Sequence, residues 1–239
     1  MTSHAVLSSQ DHRELRVRDE RSADLGDAVQ TALVVPAEFR QVQNDYVILF
    51  RLAPERDSFS ALALFGFEAG ENLYLDGDRW DAPHRPLAID VQPFLIGQPG
   101  SGSDDDRQVH VDLASPRLTA GEGTRVFDCD GRPTPYLESV AEKLGLLHSG
   151  YRDAPDFFAA LRRHELLEPL TIEVTLDDGS TNRLVGFHVI DEDRLRALDA
   201  AALAELHGEG HLMPVFMALA SLANLSKLIA RKNRRAAGG

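Results

Sequence analysis

Residues 46–67 read YVILFRLAPERDSFSALALFGF, and this stretch of the sequence decides the fold. It contains two apolar runs, Tyr46–Leu52 and Ala61–Phe67, that have the length of β-strands and are rich in leucine, β-branched and aromatic residues. The segment between the runs is polar and contains a proline, which is typical of a connection between strands. We therefore predict that both runs are strands of a sheet.

Short apolar runs of the same kind lie on both sides of this stretch. Clusters of proline, glycine, asparagine and aspartate separate them, and the runs are Ala32–Val35, Asn72–Leu75, Leu87–Ile96, Val109–Leu113 and Arg125–Phe127. Asp76-Gly77-Asp78 predicts a tight turn, because Asp and Gly tolerate the left-handed backbone that a hairpin requires. Residues 98–107, which include three consecutive aspartates, predict a flexible loop. The N-terminal half is therefore predicted to be mostly antiparallel β.

The apolar pattern becomes helical at Thr134. Thr134 and Pro135 predict the N-cap and the first residue of a helix that continues over Tyr136–Leu147. A second helix is predicted to begin at Asp153–Pro155 and to end near Leu167. The second half of the chain therefore begins with two helices.

A β-hairpin and further helices follow. Leu170–Leu176 and Arg183–Ile190 flank an Asp-Gly turn, which is a strong hairpin signal. Asp191 and Asp199 are predicted to cap two short helices, and a long apolar helix over Met213–Arg231 ends the chain. Together the two halves predict an α+β fold.

Length and charge predict three regions. The chain has 239 residues, enough for one large domain with a full core. Residues 1–29 mix arginine with aspartate and glutamate and contain no apolar run of the kind a secretory signal needs, so we predict a flexible N-terminal arm. Residues 30–232 are predicted to form a single α+β domain, and residues 233–239 a disordered basic tail end.

Composition and charge weigh against several classes of function. The formal net charge is −13, and the resulting field repels the phosphates of nucleic acids and anionic membranes. Leu212–Ser226 has no charged residue, but it is shorter than the roughly twenty apolar residues of a membrane span and contains Pro214 and Asn224. We predict instead that this helix packs against the sheet or in a homodimer interface. The single cysteine, Cys129, fits a reducing compartment, and the expected location is the cytoplasm.

No strong catalytic signature is present, since nucleophile-elbow, phosphate-loop, dinucleotide-binding and paired-cysteine motifs are absent. The strongest metal hypothesis concerns His110 and Asp112, because alternate residues of a strand share one face of a sheet. With His188 they would supply the two histidines and one carboxylate that bind Fe(II) in oxygenases, and Arg194 or Arg196 would bind the carboxylate of 2-oxoglutarate. The alternative is that His110 and Asp112 are exposed polar residues of an edge strand.

The Asp-Gly hairpin is the other predicted binding site. Glu71 and Asn72 precede it, and Trp80, the only tryptophan, follows it together with Asp81. An aromatic side chain beside carboxylates and an amide is suited to the recognition of a partner. The alternative is that Trp80 closes one end of the β core.

A series of short segments also occurs in a characteristic order along residues 30–232. It includes VVPAEF (34–39), ALALFGF (61–67), GENL (70–73), RWD (79–81), QPFL (92–95), SPR (115–117), LLEPL (166–170) and SLANL (221–225). This ordered series resembles the bacterial SapC-like family. The peptide-transport permease of the same name is excluded by hydropathy.

The resemblance implies a function in general terms. Related proteins are encoded beside TonB-dependent outer-membrane receptors, flavoproteins similar to tryptophan halogenases, and cupin-like proteins. This implies a non-catalytic accessory protein of a nutrient-uptake or protein-modification system, without a cofactor and with a partner encoded nearby. The family name, taken from a surface-layer locus, makes a surface-layer protein the alternative. Segments that match the family imply a shared binding surface made of Glu71, Asn72, Arg79, Trp80, Asp81 and Arg117.

Overall fold

A computed structural model of the chain describes residues 4–55, 58–97 and 108–238, and it confirms the α+β fold class. The strands are β1 (His4–Val6), β2 (Arg16–Val17), β3 (Thr31–Val34), β4 (Val47–Leu52), β5 (Phe59–Leu64), β6 (Leu75–Asp76), β7 (Arg79–Trp80), β8 (Phe94–Gly97), β9 (Gln108–Asp112), β10 (Leu118–Thr119), β11 (Thr124–Arg125), β12 (Leu167–Thr175) and β13 (Thr181–Ile190). The α-helices are α1 (Phe39–Val42), α2 (Leu87–Asp90), α3 (Pro135–Arg163), α4 (Glu192–Arg196), α5 (Ala200–Gly208), α6 (Leu212–Ser221) and α7 (Asn224–Gly238).

The two central apolar runs of the sequence form β4 and β5, inside a five-stranded antiparallel sheet with the order β12-β13-β4-β5-β3. β4 and β5 pair in register from Val47 opposite Leu64 to Leu52 opposite Phe59. Four consecutive residues are buried in each strand, so both faces of the sheet are covered here. A strand buried on both faces is continuously apolar, which explains why these runs do not alternate.

Among the described residues, the apolar interior forms two clusters, and α3 contributes to both. The larger cluster surrounds the five-stranded sheet and includes Leu228 of α7. The smaller cluster includes Val111 of a three-stranded sheet with the order β1-β9-β8. Leu144, in the first half of α3, packs in the smaller cluster, whereas Phe157, in its second half, packs in the larger one.

α3 is one helix where the sequence predicts two. It spans Pro135–Arg163 with Pro155 inside it. Thr134 is its N-cap, as predicted, and the Thr134 hydroxyl accepts a hydrogen bond from the backbone N–H of Leu137. Pro155 does not end the helix because the next turn is anchored in the core, where Phe157 is 1% exposed. Tertiary packing here outweighs the local preference of proline.

Two other predicted elements are also divided differently. Leu87–Ile96 is α2 followed by β8, because Pro86 precedes the helical turn and Pro93 follows it. The predicted helix Met213–Arg231 is two helices, α6 and α7, with a break at residues 222–223.

Buried polar side chains at this break hold the two helices against β4. The Ser221 hydroxyl accepts a hydrogen bond from the Ile48 N–H at 2.8 Å, and the Asn224 amide donates to the Tyr46 carbonyl at 3.1 Å. Leu212–Ala237 has the length and composition of a membrane span, and 33% of its most apolar window is buried within the protein. Length and composition alone do not distinguish such a span from a helix packed in a core.

Residues 4–29 are not the flexible arm that the sequence predicts. β1 pairs with β9, and β2 pairs with both β10 and β11, so this segment belongs to the fold. Arg21 is 5% exposed, Asp27 is fully buried, and both form ion pairs. The mixed charges resemble those of a solvated arm, but Arg21 and Asp27 also pair with Asp90 and Arg117, which lie in distant parts of the chain.

The predicted disordered tail end, residues 233–239, is helical up to residue 238. The Asn233 side chain accepts a hydrogen bond from the Asp177 N–H at 3.2 Å, and Arg235 donates to the Asn72 carbonyl at 3.0 Å. The tail therefore packs on the rest of the protein. The predicted flexible loop, residues 98–107, lies outside the described residues.

Candidate functional site

The predicted binding surface at the hairpin is covered by the basic end of α7. Lys232 Nζ lies 2.7 Å from Glu68 Oε1 and 2.6 Å from Glu71 Oε1, and Arg231 Nη1 lies 2.6 Å from Asp81 Oδ2. Burial alone lowers the pKa of Lys232, but the hydrogen bonds to the two glutamates outweigh it and raise the pKa above its usual value. The basic helix end therefore neutralises the acidic hairpin within the same chain.

Asn72 and Trp80 lie in the interior beneath these contacts. The Asn72 amide donates to the Asp27 carbonyl at 2.9 Å, and the Trp80 indole N–H donates to the Tyr46 hydroxyl at 2.7 Å. The Trp80 ring also packs edge-on against Phe65, with 5.1 Å between the ring centroids. Burial raises the pKa of Tyr46, against the opposing effect of the bond from Trp80. Both Asn72 and Trp80 contribute to packing in this structure.

The two arginines of the predicted surface lie in different surroundings. Arg79 is exposed on β7, opposite Asp76. Arg117 is 1% exposed, its Nη2 lies 2.5 Å from Asp27 Oδ2, and its Nη1 donates to the Glu20 carbonyl at 3.0 Å. The structure therefore does not present the six predicted residues as one open surface.

An ionic cluster extends from this pair through Arg21 to Asp90. The Arg21 guanidinium lies 3.6 Å from Asp27 Oδ1 and 3.5 Å from Asp90 Oδ1. Arg85 and Lys143 each lie 2.6 Å from a carboxylate oxygen of Asp90. Burial favours the neutral form of Asp90, but the bonds from Lys143 and Arg85 outweigh it, so the pKa of Asp90 is lowered. These pairs fasten α2, α3 and the N-terminal segment together.

The predicted iron ligands do not come together. His110 and Asp112 lie on β9 of the three-stranded sheet, whereas His188 lies on β13 of the five-stranded sheet. Asp112 Oδ1 accepts a hydrogen bond from the Ala114 N–H at 3.1 Å. His188 packs edge-on against Phe59 at 5.1 Å, and burial lowers its pKa. In residues 4–55, 58–97 and 108–238, no three His, Cys, Asp or Glu side chains are close enough to bind one metal ion.

The arginines proposed for the co-substrate bind neighbouring carboxylates. Arg194 lies 2.5 Å from Glu165, and Arg196 lies 2.5 Å from Glu192. His188 lies on a different sheet from His110 and Asp112, and both arginines are paired elsewhere, so the residues do not fit an Fe(II) and 2-oxoglutarate site.

An open cleft of about 400 Å³ lies between α3 and the edge of the five-stranded sheet. We call it the edge cleft. Leu33 and Phe59 line it from the sheet, and Tyr151, Phe158 and Ala159 line it from α3, so its walls are mostly apolar. Burial raises the pKa of Tyr151, as does the charge of a nearby glutamate.

The strand beside this cleft, β3, is the last of the sheet and pairs only with β5 among the described strands. The Gln30 carbonyl accepts from the Phe65 N–H, so the alternation of the ladder directs the N–H and C=O groups of Thr31 and Leu33 away from β5. Within the described part of the chain, no hydrogen bond uses these four groups. α2 packs against β3, yet the Leu33 side chain remains 42% exposed.

A second groove, of about 450 Å³, lies on the other flank of α3, between α3 and α6. We call it the α3–α6 groove. Gly150 and Asp153 line it from α3, Met213 and Met217 from α6, and Arg40 from α1. It therefore combines apolar walls with charges of both signs.

Neither the cleft nor the groove is predicted from the sequence, although their α3 residues follow the helical period. One flank presents Tyr151, Pro155, Phe158 and Arg162, and the other presents Leu146, Gly150, Asp153 and Phe157. Two such stripes on one continuous helix would have predicted two surfaces. Because the sequence predicts two helices divided at Asp153–Pro155, neither stripe can be recognised from it.

The SapC family model matches residues 7–228, which is nearly the whole chain. The match includes most of the N-terminal segment that packs into the fold, and it ends within α7. No match was found among the curated proteins or among the solved structures. The resemblance carried by the ordered segments is confirmed, and the chain belongs to the SapC family.

Proposed function

We propose that this protein is a non-catalytic accessory protein that binds an extended segment of a partner protein at the edge cleft. The observation that carries the proposal is an open, mostly apolar cleft of about 400 Å³ beside an edge strand. Extended peptides are often bound in this way, with backbone hydrogen bonds to the strand and alternate side chains in adjacent pockets.

β3 supports this mode of binding through its backbone. An exposed strand edge pairs readily with another chain unless charges, proline, a bulge or a covering element protect it. α2 packs against β3 but leaves the Leu33 side chain 42% exposed. The β3 sequence, TALV, contains neither a charge nor a proline. The outward N–H and C=O groups of Leu33 would pair with a backbone in extended conformation.

The cleft supports the binding of a large side chain. Its volume falls within the range of ligand pockets, which are mostly apolar with a few polar groups. Phe59 and Phe158 supply apolar contact area, and the Tyr151 hydroxyl supplies a polar group at the same site. An aliphatic or aromatic side chain is therefore the expected occupant.

The composition of the cleft favours binding over catalysis. Arg162 and Tyr151 are the ionisable side chains among its described lining residues. Ser58 and Ser60 also line the cleft, but nucleophilic catalysis by serine needs a base within hydrogen-bond reach. The lining offers no histidine or carboxylate for that purpose within the described residues.

The expected partner is a protein encoded beside the gene, in a TonB-dependent uptake system or a protein-modification system, as the family resemblance implies. We place the encounter in the cytoplasm. Calorimetry with the purified products of the neighbouring genes tests this, because one of them should bind the wild type.

Filling the cleft provides the decisive comparison. Ala159 is exposed and lines the cleft, so Ala159→Trp fills it without disturbing the core, and we expect partner affinity to fall at least about tenfold. Ala141→Trp is the matched control, since Ala141 is exposed on the same helix away from the cleft. Equal affinities for the two variants, or no binding by the wild type to any neighbouring gene product, would contradict the proposal.

A further inference from the structure

The face that contains the α3–α6 groove exposes large apolar side chains, and α6 carries no charged residue beside them. Met213 is 54% exposed and Phe216 is 48% exposed, and their spacing of three residues places them on one face of α6. Leu146, at the groove on α3, is 62% exposed. No charged residue occurs between Leu212 and Ser226. Large apolar side chains exposed together on one helix and at an adjacent groove mark an interaction surface.

The face combines a hollow with protruding side chains. The groove has a volume of about 450 Å³ and reaches down to Phe157 and Met217, which are buried. Leu146 and Met213 lie at the groove and extend into solvent. A hollow and apolar projections on one surface are the two elements that a self-complementary interface needs.

The charged side chains at the groove would also be complementary between two copies. Arg40 and Asp153 both line the groove, and both side chains are exposed. Arg40 forms no side-chain hydrogen bond or ion pair with any residue that the structure describes. Among the residues that the structure describes, Asp153 pairs only with the adjacent Arg152, at 3.3 Å. Glu209 also lines the groove, but it pairs with Arg163 of the same chain at 3.6 Å. Arg40 and Asp153 can therefore satisfy each other when two grooves meet in opposite orientation.

We propose that a second copy of this chain covers the α3–α6 groove, in a two-fold symmetric dimer. In such an interface the same patch meets itself, and each contact occurs twice. Leu146, Met213 and Phe216 of one copy fill the groove of the other. Arg40 of each copy pairs with Asp153 of the partner subunit. The edge cleft lies on the opposite flank of α3, so the dimer goes beyond the proposed function and does not depend on it.

Sedimentation velocity of the full chain over a concentration series tests the dimer. We expect the wild type to approach twice the 26.3 kDa chain mass as its concentration rises. Phe216→Asp introduces two charges into the interface and should leave a monomer at every concentration. Val185→Asp is the matched control, because Val185 is 56% exposed on β13, outside this face, and the variant should dimerise as the wild type does. A monomeric wild type, or a dimeric Phe216→Asp, would overturn the proposal.

Charge reversal tests the symmetry itself. Arg40→Glu and Asp153→Arg each place like charges opposite one another, and each should weaken self-association at least about tenfold. An equimolar mixture of the two variants restores both ion pairs in a heterodimer, so the mixture should associate although neither variant does alone. No recovery in the mixture would overturn the two-fold pairing. If the wild type is a monomer but binds a partner encoded beside its gene, the dimer proposal is wrong and the proposed function is supported. If the wild type dimerises but binds no such partner, the dimer proposal is supported and the proposed function is wrong.

Discussion

Arg117 and Asp27 form an ion pair that is almost completely removed from solvent. Their side chains are 1% and 0% exposed, and Nη2 lies 2.5 Å from Oδ2. The Asp27 carbonyl also accepts a hydrogen bond from the Asn72 amide at 2.9 Å. One pair therefore joins the N-terminal segment, the loop after β9 and the segment before the hairpin, and it acts together with the pairing of β1 and β2 to hold residues 4–29 in the fold.

Removing one partner of this pair should destabilise the protein strongly. Arg117→Met removes the nearer of the two cations that pair with the buried Asp27 carboxylate and leaves only Arg21, at 3.6 Å, so we expect the free energy of unfolding to fall by about 3–5 kcal/mol. Arg125→Met is the control, because the Arg125–Glu14 pair is 38% and 70% exposed and should contribute about 1 kcal/mol or less. Urea unfolding monitored by circular dichroism measures both losses, and similar losses for the two variants would contradict the expectation. The double variant Arg117→Met, Asp27→Leu should recover much of the loss, since it buries no unpaired charge.

Asp90 should make stability depend on pH in the acid range. Its pKa in the folded protein is lowered by the bonds from Lys143 and Arg85, against the effect of burial. A carboxylate whose pKa is lower in the folded state stabilises the protein fully above its ordinary pKa of 3.8, and this contribution is lost as the pH falls through the folded pKa. Asp90→Asn should therefore be less stable than the wild type by about 2–3 kcal/mol at neutral pH, and the difference should shrink below pH 3.8.

Urea unfolding of both proteins at a series of pH values measures this difference. Asp193→Asn is the control, because the Asp193 side chain is 96% exposed, and its stability should follow that of the wild type at every pH. A difference between wild type and Asp90→Asn that stays constant down to pH 2 would show that Asp90 does not titrate as described.

The local features of this fold can be predicted from the sequence because their causes are local. The predicted turns occur at Gly77 and Gly179, whose φ angles of 63° and 84° are left-handed. Thr134, Asp191 and Asp199 cap their helices through a bond to an N–H three residues later. Each of these depends on neighbours that a short stretch of sequence contains.

The features that the sequence does not predict depend on distant residues. Arg21 and Asp27 lie in a segment whose composition is typical of a solvated arm, but Asp27 is paired with Arg117, 90 positions away. Ser221, at the break between α6 and α7, bonds to Ile48, 173 positions away. The edge cleft and the α3–α6 groove likewise require α3 to be placed against β3 on one flank and α6 on the other. Composition and periodicity contain no information on such pairings.

Ser221, which is buried, should contribute more to stability than Ser226, which makes a similar hydrogen bond at an exposed site. Its hydroxyl accepts from the Ile48 N–H at 2.8 Å and donates to the Ala218 carbonyl at 2.6 Å, and the side chain is fully buried. Ser221→Ala leaves a buried N–H without a partner and should cost about 1–3 kcal/mol. Ser226→Ala removes the same kind of bond to a carbonyl three residues earlier, but at an exposed site, and should change stability by about 0.5 kcal/mol or less. Equal effects in urea unfolding would show that the bond to β4 does not hold α6 in place.

Substitution by alanine at two glycines of α3 should change the free energy of unfolding in opposite directions. A Cβ atom on Gly150 would lie 2.5 Å from Cγ2 of Val35, whose side chain is buried and β-branched and therefore has little freedom to move. Gly150→Ala should push α3 away from Val35 and cost about 1–3 kcal/mol. A Cβ atom on Gly145 meets nothing within 4 Å, so Gly145→Ala should stabilise the helix by about 0.5–1 kcal/mol. Thermal unfolding followed by circular dichroism measures both changes, and a Gly150→Ala protein as stable as the wild type would show that α3 does not need this close approach.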